Sequence, residues 1–83
     1  MDRDEIEQKI IAIIHDQKTL PADAVTAQRS LREAGIDSLD ALNILFALEE
    51  TFAIEISDAK AKSIQTLQEM TDTVIELLAQ KSA

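Results

Sequence analysis

The residues best suited to chemistry lie in one short stretch, Gly35-Ile36-Asp37-Ser38-Leu39-Asp40, which contains the only glycine of the chain. Asp37 is a typical helix N-cap residue, and Asp40, three positions later, completes an acidic form of the capping box. Ser38 would then be the first residue of the helix. A hydroxyl at that position lies beside unpaired backbone N–H groups and the positive end of the helix dipole, an environment that favours a phosphate.

Ser38 lacks the partners that a nucleophilic serine needs within its own chain. Such a serine requires a base within hydrogen-bond reach and a group that orients this base. The single histidine, His15, belongs to another segment. Asp37 and Asp40 are weak bases at neutral pH because carboxyl groups ionise at about pH 4. We therefore expect no enzymatic activity from the chain itself, and no metal site at His15, which has no second ligand at a suitable spacing.

Length and composition indicate one small acidic domain over residues 1–83. The chain is 46% hydrophobic, carries a net charge of −8 and contains no cysteine, so it has no disulfide and no thiol of its own. The acidic balance argues against nucleic acid or anionic membranes as partners and favours basic proteins. The acidic N-terminus does not resemble a signal peptide, and no apolar run could span a bilayer. We expect a soluble, cytoplasmic monomer.

The first helix is predicted over residues 3–17, where apolar residues recur at i, i+4, i+7 and i+8 from Ile6. Asp2 and Glu5 can cap its start. A long connection follows, to about residue 34. The apolar anchors of this connection would be Leu20, Val25 and Leu31.

The second helix is predicted over residues 38–51, between two irregular segments. Before it, residues 30–33 have capping-box spacing, which predicts a single helical turn that Gly35 ends in a left-handed conformation. After it, the large apolar residues Phe52, Ile54 and Ile56 alternate with smaller or charged ones, which predicts an extended link over residues 52–56. The helix therefore stands between a tight turn and an extended segment.

The last part of the chain predicts one short and one long helix. Ser57 or Asp58 can cap a short third helix that ends near Ser63, and Thr66 with Glu69 forms a capping box that opens the fourth. The buried stripe of the fourth helix would be Leu67, Met70, Val74, Leu77 and Leu78, with Ile75 beside it. Three apolar stripes can bury one another only as a bundle. The predicted fold is all-α: a small four-helix bundle with three longer helices, a short third helix, and a long loop between helices one and two.

Acidic residues surround the second helix. No basic residue lies between Arg32 and Lys60, whereas seven acids do: Glu33, Asp37, Asp40, Glu49, Glu50, Glu55 and Asp58. Two interpretations remain open, a solvated face that maintains solubility or a surface that attracts basic partners. Leu39 and Phe46 fall at the edge of the polar arc of this helix, where they would be partly buried or would complete the core.

These features together resemble the acyl carrier protein family. The resemblance is carried by residues 35–40, by the helix end Ala47-Leu48-Glu49-Glu50-Thr51-Phe52, and by Ile54-Glu55-Ile56-Ser57-Asp58. It extends over nearly the whole chain, and it is most specific over residues 30–58. A short serine motif alone would be weak, but its place in a small acidic helical chain strengthens it.

The resemblance implies a cofactor and a function. Ser38, preceded by Asp37 and followed by Leu39, would accept 4′-phosphopantetheine from coenzyme A through a separate, magnesium-using phosphopantetheinyl transferase. The thiol of this arm would hold acyl intermediates as thioesters for fatty-acid or related lipid biosynthesis. Tethering would replace diffusion by a high effective concentration at each partner's active site.

The resemblance also assigns a docking surface and an acyl site. Acyl-transfer and synthase enzymes with basic docking surfaces are the implied partners. The corresponding partner-facing residues are Asp40, Phe46, Glu49 and Glu50, with Glu55 and Asp58 extending the acidic surface. Plausible walls of an acyl cavity between the helices are Leu42, Leu45, Ile56, Ala61 and Ile64.

The sequence also departs from the family pattern. Asn43 stands where an acid is usual, Ser57 where proline is usual, and Ala59, Lys60 and Lys62 where acids are commoner. These departures leave open a specialised carrier for a polyketide or aminoacyl pathway. A further alternative is an acidic helical adaptor that is never modified.

Overall fold

The computed structural model describes residues 2–18 and 29–82, and within these ranges it contains four α-helices and no β-strand. The helices are α1 (Arg3–Gln17), α2 (Ser38–Phe52), α3 (Asp58–Ser63) and α4 (Leu67–Ser82). The all-α prediction is therefore confirmed. Of the predicted loop anchors, Leu20 and Val25 lie outside the described residues, whereas Leu31 is buried. None of the described helices combines the length and apolar character that a membrane span requires.

The three longer helices bury their apolar faces against one another. α1 packs against α2 and α4, and α2 also packs against α4. In α1 the buried residues are Ile6, Ile10 and Ile14, as the periodicity predicts, while Ile13 is only partly buried. Each aliphatic side chain of this size contributes about 1.5–3 kcal/mol when it is fully buried. The fully buried centre of the core consists of Ile10, Ile14, Ile44, Leu48, Leu67, Met70, Val74 and Thr71.

The buried face of α4 differs from the predicted stripe. Its first three apolar residues are buried as expected, but Leu77 and Leu78 are only partly buried. Thr71 and Thr73 are buried instead. The hydroxyl of Thr71 donates to the carbonyl oxygen of Leu67 at 2.9 Å, which satisfies the polar atom and allows the rest of the side chain to pack in the core.

The turn before α2 is fixed by its own hydrogen bonds. The Ser30 hydroxyl accepts from the N–H of Glu33 at 3.1 Å, and Gly35 takes a φ of 100°. The N–H of Ile36 donates to the carbonyl of Leu31 at 2.9 Å, the six-to-one bond of a Schellman motif. The predicted helical turn with a left-handed glycine at its end is confirmed.

An isolated β-bridge joins this turn to the start of α4. Ser30 pairs with Thr66 in antiparallel orientation, and the N–H of Leu31 donates to the carbonyl of Gln65 at 2.8 Å. The bridge was not expected, because it depends on two segments that are far apart in sequence. It fixes the segment before α2 against the segment after α3, and these two segments border the cleft described below.

The end of α2 differs from the predicted extended link. The helix continues through Phe52, which is buried, and Ala53 then takes a left-handed conformation with φ 53° and ψ 48°. The N–H of Ile54 donates to the carbonyl of Glu49 at 3.1 Å, which closes the helix end. A residue with a Cβ atom is disfavoured in this conformation by about 1–2 kcal/mol. Ala53 therefore stores strain that a glycine would not.

Replacing Ala53 with glycine should stabilise the domain. Glycine relieves the Cβ clash but loses more chain entropy on folding, so we expect a net gain of about 0.5–1 kcal/mol in the free energy of unfolding. Urea unfolding followed by circular dichroism measures this difference. Ala79→Gly, at an exposed position inside α4, is the matched control and should lose about 1 kcal/mol. A loss of stability in both variants would contradict the prediction.

Candidate functional site

Ser38 is the first residue of α2, and it is exposed to solvent. Asp37 is the N-cap, and its carboxylate accepts a hydrogen bond from the N–H of Asp40 at 2.9 Å, which confirms the predicted cap. Several N–H groups in the first turn of a helix have no partner within the helix, and they add to the positive end of its dipole. A phosphate bonded to the Ser38 oxygen would lie in this favourable field.

A partly open cleft of about 550 Å³ lies beside Ser38. This volume falls within the roughly 300–1,000 Å³ typical of small-molecule sites. The cleft is bordered by the turn before α2, by the first turns of α2, by the end of α3 and by the segment that joins α3 to α4. Its apolar walls are Leu31, Ile36, Ala41, Leu42, Leu45, Ala61 and Ile64, and its polar lining is Ser30, Arg32, Asp37, Ser38, Lys62 and Gln65.

The cleft brings together four of the five residues that were expected to wall an acyl site, namely Leu42, Leu45, Ala61 and Ile64. The fifth, Ile56, does not line the cleft and packs against the core. The reason is that the N–H of Ile56 is bonded to the carboxylate of Glu49 at 2.8 Å, and Glu49 lies about three helical turns along α2 from Ser38.

Sequence reasoning missed other parts of this cleft. Leu31 was predicted to anchor the loop but not to line a cleft, and the apolar Ile36 next to the Asp37 cap was not predicted to be buried, although both residues are buried and line the cleft. The cations Arg32 and Lys62 gave no such signal. They border the same cleft because the fold brings two distant segments together, and the Ser30–Thr66 bridge is one of the contacts between these segments.

Three apolar side chains of α2 are exposed near Ser38. The exposed fraction is 69% for Leu39, 45% for Leu42 and 55% for Phe46. Their i, i+3, i+7 spacing places them on one face of the helix, which we call the α2 apolar stripe. Of the two interpretations of Leu39 and Phe46, the one in which they complete the core is wrong, because both side chains are more than half exposed. A continuous apolar stripe on an exposed helix face is typical of an interaction surface.

Two of the acids expected to face partners are engaged within the chain. The carboxylate of Asp40 accepts a hydrogen bond from the ammonium of Lys18 at 2.6 Å, and the two side chains are 24% and 33% exposed, respectively. The carboxylate of Glu49 accepts from the N–H of Ile56. Asp40 therefore has a counter-charge that its own stretch of sequence lacks, because the end of α1 lies beside the start of α2. The other acids that were expected to face partners, Glu50, Glu55 and Asp58, are exposed.

The Lys18–Asp40 pair shifts the pKa of both groups. The hydrogen bond from Lys18 lowers the pKa of the Asp40 carboxyl below its ordinary value, burial opposes this change, and the backbone N–H of Asp37 reinforces it. The same hydrogen bond raises the pKa of Lys18, again against the effect of burial. The pair therefore favours the charged form of both groups and joins the end of α1 to the first turn of α2.

Residues 8–74 match the family that is described as a phosphopantetheine attachment site. The geometry agrees with this match, because an exposed serine at a helix N-terminus stands beside an apolar cleft large enough for part of such an arm. Phosphopantetheine is the covalently attached group that this domain indicates. The class is therefore that of a phosphopantetheine-bearing carrier, which is not an enzyme.

Relatives define the family more closely. An acyl carrier protein from Rubrobacter xylanophilus is 43% identical over 77 residues, which cover 92% of this chain and 95% of that protein. The chloroplastic acyl carrier protein 1 of Casuarina glauca is 39% identical over 79 residues, or 94% of this chain, but this chain covers only 58% of its length. The solved acyl carrier protein of Thermotoga maritima superposes with a TM-score of 0.86 at 25% identity, covering 98% of this chain and 95% of that one. This chain belongs to the acyl carrier protein family.

Replacing Lys18 with glutamine should raise the pKa of the Asp40 carboxyl toward its ordinary value, because the ammonium that stabilises the carboxylate is removed. NMR titration of the aspartate side-chain carbons measures this shift. Lys9→Gln removes an exposed lysine from the same helix and should leave Asp40 unchanged. An Asp40 pKa that stays low in Lys18→Gln would contradict the assignment.

The same pair predicts a pH dependence of stability. The pKa of Asp40 is lowered on folding, so its contribution is present above its ordinary pKa and is lost as the pH falls through the lowered value. The pKa of Lys18 is raised, so its contribution is present below its ordinary pKa and is lost as the pH rises through the raised value. Wild type and Lys18→Gln should therefore differ most in unfolding free energy near neutral pH, and the difference should shrink in strong acid.

Truncating Glu49 should destabilise the domain more than truncating Glu50. Glu49→Ala removes the acceptor of the Ile56 N–H, and we expect a loss of about 1–2 kcal/mol because the acceptor is charged and partly buried. Glu50 is exposed and makes no side-chain hydrogen bond within residues 2–18 and 29–82, so Glu50→Ala should change stability by less than about 0.5 kcal/mol. Urea unfolding compares the two variants, and equal losses would refute the structural role of Glu49.

Proposed function

We propose that Ser38 is the attachment residue for 4′-phosphopantetheine, and that the chain delivers acyl groups for fatty-acid or related lipid biosynthesis. The observation that supports the attachment most directly is the exposed hydroxyl at the N-terminus of α2, beside the cleft. The family match spans this position. Relatives named acyl carrier protein support the carrier function.

The attachment reaction requires presentation of the hydroxyl rather than catalysis by this chain. The Ser38 oxygen would form a bond to phosphorus as the phosphoanhydride bond of coenzyme A breaks, and adenosine bisphosphate would leave. The hydroxyl proton must pass to a base. The two neighbouring carboxylates are engaged, Asp37 with the N–H of Asp40 and Asp40 with Lys18. We infer that a phosphopantetheinyl transferase supplies the base and the magnesium.

The chain's own residues would then hold and shelter the cargo. When bound, the group supplies a flexible arm that ends in a thiol, to which acyl groups are attached as thioesters. The apolar walls of the cleft, among them Leu42, Leu45 and Ile64, can cover part of an acyl chain, and each buried methylene would contribute about 0.8 kcal/mol. The adjoining core is close-packed, so a longer chain requires a helix to move.

We propose that partner enzymes dock on the α2 apolar stripe and on the exposed acids beside it. Apolar side chains supply most of the contact energy of an interface, whereas complementary charges accelerate association. Glu50, Glu55 and Asp58 are exposed and can attract basic residues of a transferase or synthase. Asp40 and Glu49 contribute charge, but both also bond within the chain. A monomeric, cytoplasmic carrier remains a prediction.

Intact mass tests the attachment residue. Wild type incubated with coenzyme A, magnesium and a broad-specificity phosphopantetheinyl transferase should gain the mass of one phosphopantetheine group, and Ser38→Ala should gain none. Ser63→Ala, at an exposed serine of α3, is the matched control and should gain the group like wild type. Modification of Ser38→Ala would place the attachment elsewhere. An unmodified wild type would favour the adaptor interpretation, in which an acidic helical surface binds partners without a cofactor.

A further inference from the structure

Two cations line the cleft beside Ser38, although the chain as a whole carries a net charge of −8. Arg32 belongs to the turn before α2, and Lys62 belongs to α3. Among the described residues that line the cleft, Asp37 is the single acidic one, and its carboxylate caps α2 by accepting a hydrogen bond from the N–H of Asp40. The lining is therefore locally positive, against the charge of the surrounding surface.

Neither cation is neutralised within residues 2–18 and 29–82. Lys60, two positions before Lys62 on the same helix, donates to both carboxylate oxygens of Glu76 at 2.8 Å. By contrast, neither Arg32 nor Lys62 forms an ion pair with a described carboxylate. The two cations that border the cleft are thus available to an anionic ligand.

The backbone holds the two cation-bearing segments together. The Ser30–Thr66 bridge and the hydrogen bond from the N–H of Leu31 to the carbonyl of Gln65 connect the turn that carries Arg32 to the segment that follows Lys62. Apolar side chains line the same cleft as the two cations. The cleft therefore has apolar walls that can bury methylene groups, and it has two positive charges at its border.

We propose that this cleft takes acyl groups that end in a carboxylate, and that Arg32 and Lys62 bind this carboxylate. The inference rests on the proposed attachment at Ser38. The guanidinium of Arg32 offers two parallel N–H donors to a carboxylate, and the ammonium of Lys62 adds a point charge. The apolar walls would contact the methylenes between the carboxylate and the attachment point. A neutral acyl chain of the same length would leave both cations without a partner.

The phosphodiester of the arm is the competing anion. It would be bonded to Ser38 itself, where the unpaired N–H groups and the dipole of α2 already stabilise a negative charge. Lys62 stands on the border formed by α3, next to the apolar walls Ala61 and Ile64. This position among the walls favours a carboxylate on the cargo over the phosphodiester.

The test compares two double variants of equal charge. Arg32→Gln/Lys62→Gln removes the cations of the cleft, and Lys9→Gln/Lys81→Gln removes two exposed lysines elsewhere, so both lower the net charge by two. Wild type and both variants are loaded from glutaryl-coenzyme A carrying ¹³C in the terminal carboxyl, or from pentanoyl-coenzyme A. Intact mass establishes loading before any titration, and thermal unfolding establishes that each variant is folded. Lys62→Gln alone serves if the double variant unfolds.

The expected readout is the pKa of the glutaryl carboxyl, followed by ¹³C NMR. We call Arg32→Gln/Lys62→Gln the cleft variant and Lys9→Gln/Lys81→Gln the control variant. In wild type and in the control variant the pKa of the glutaryl carboxyl should be at least about 0.5 units lower than in the cleft variant, because nearby cations favour the carboxylate. Backbone N–H shifts of the cleft residues should differ between the glutaryl and pentanoyl forms of wild type, and this difference should disappear in the cleft variant.

The outcomes separate this inference from the proposed function. Absence of loading on wild type overturns the attachment at Ser38. Complete loading with equal carboxyl pKa values in wild type and the cleft variant overturns the carboxylate site alone. The third outcome concerns the ³¹P resonance of the unacylated, phosphopantetheine-bearing form. If this resonance shifts in the cleft variant but not in the control variant, the cations bind the phosphodiester, and the carboxylate site is again overturned.

Discussion

The hydrogen bond from the N–H of Asp40 to the carboxylate of Asp37 fixes where α2 begins, and the rest of the molecule depends on that starting point. A helix rotates by about 100° per residue, so its first residue determines which face every later residue occupies. With Ser38 at the start, Ile44 and Leu48 enter the core, while the α2 apolar stripe stays exposed. One cap thus positions the hydroxyl, the core and the exposed stripe together.

The acids around α2 form two populations that composition alone does not distinguish. Asp40 and Glu49 connect α2 to other segments, the first through Lys18 and the second through the N–H of Ile56. The exposed acids contribute most directly to the negative long-range field around this helix, on which the proposed docking of basic partners depends. A change at the first population alters the structure as well as the charge, so charge reversal at Glu49 would not report on docking alone.

The sequence allows prediction of features whose causes lie within a few residues, and it fails where the cause is distant. Caps, the Schellman turn and the apolar periodicity are local, and the structure agrees with them at Asp37 and Gly35. The Lys18–Asp40 pair and the Ser30–Thr66 bridge join distant segments and leave no local pattern. The left-handed Ala53 is local, but alanine does not signal that conformation as glycine does. In the cleft, four of the seven apolar wall residues could be anticipated from the family resemblance. The two cations could not, because their position depends on contacts between distant segments.

Of the two helices that border the cleft, α3 has the fewer buried residues. α3 contributes no fully buried residue, whereas each of the longer helices inserts several side chains into the core. The Ser57 cap is internal to α3, and the Lys60–Glu76 pair that joins α3 to α4 is an exposed ion pair, which contributes only about 0–1 kcal/mol. Elements with few buried contacts open at the lowest free-energy cost. If cargo enters by displacing a helix, displacement of α3 should cost the least free energy, and it would move Lys62 as well. When α3 then closes over a cargo that ends in a carboxylate, the ammonium of Lys62 would return to the cleft and bind that carboxylate.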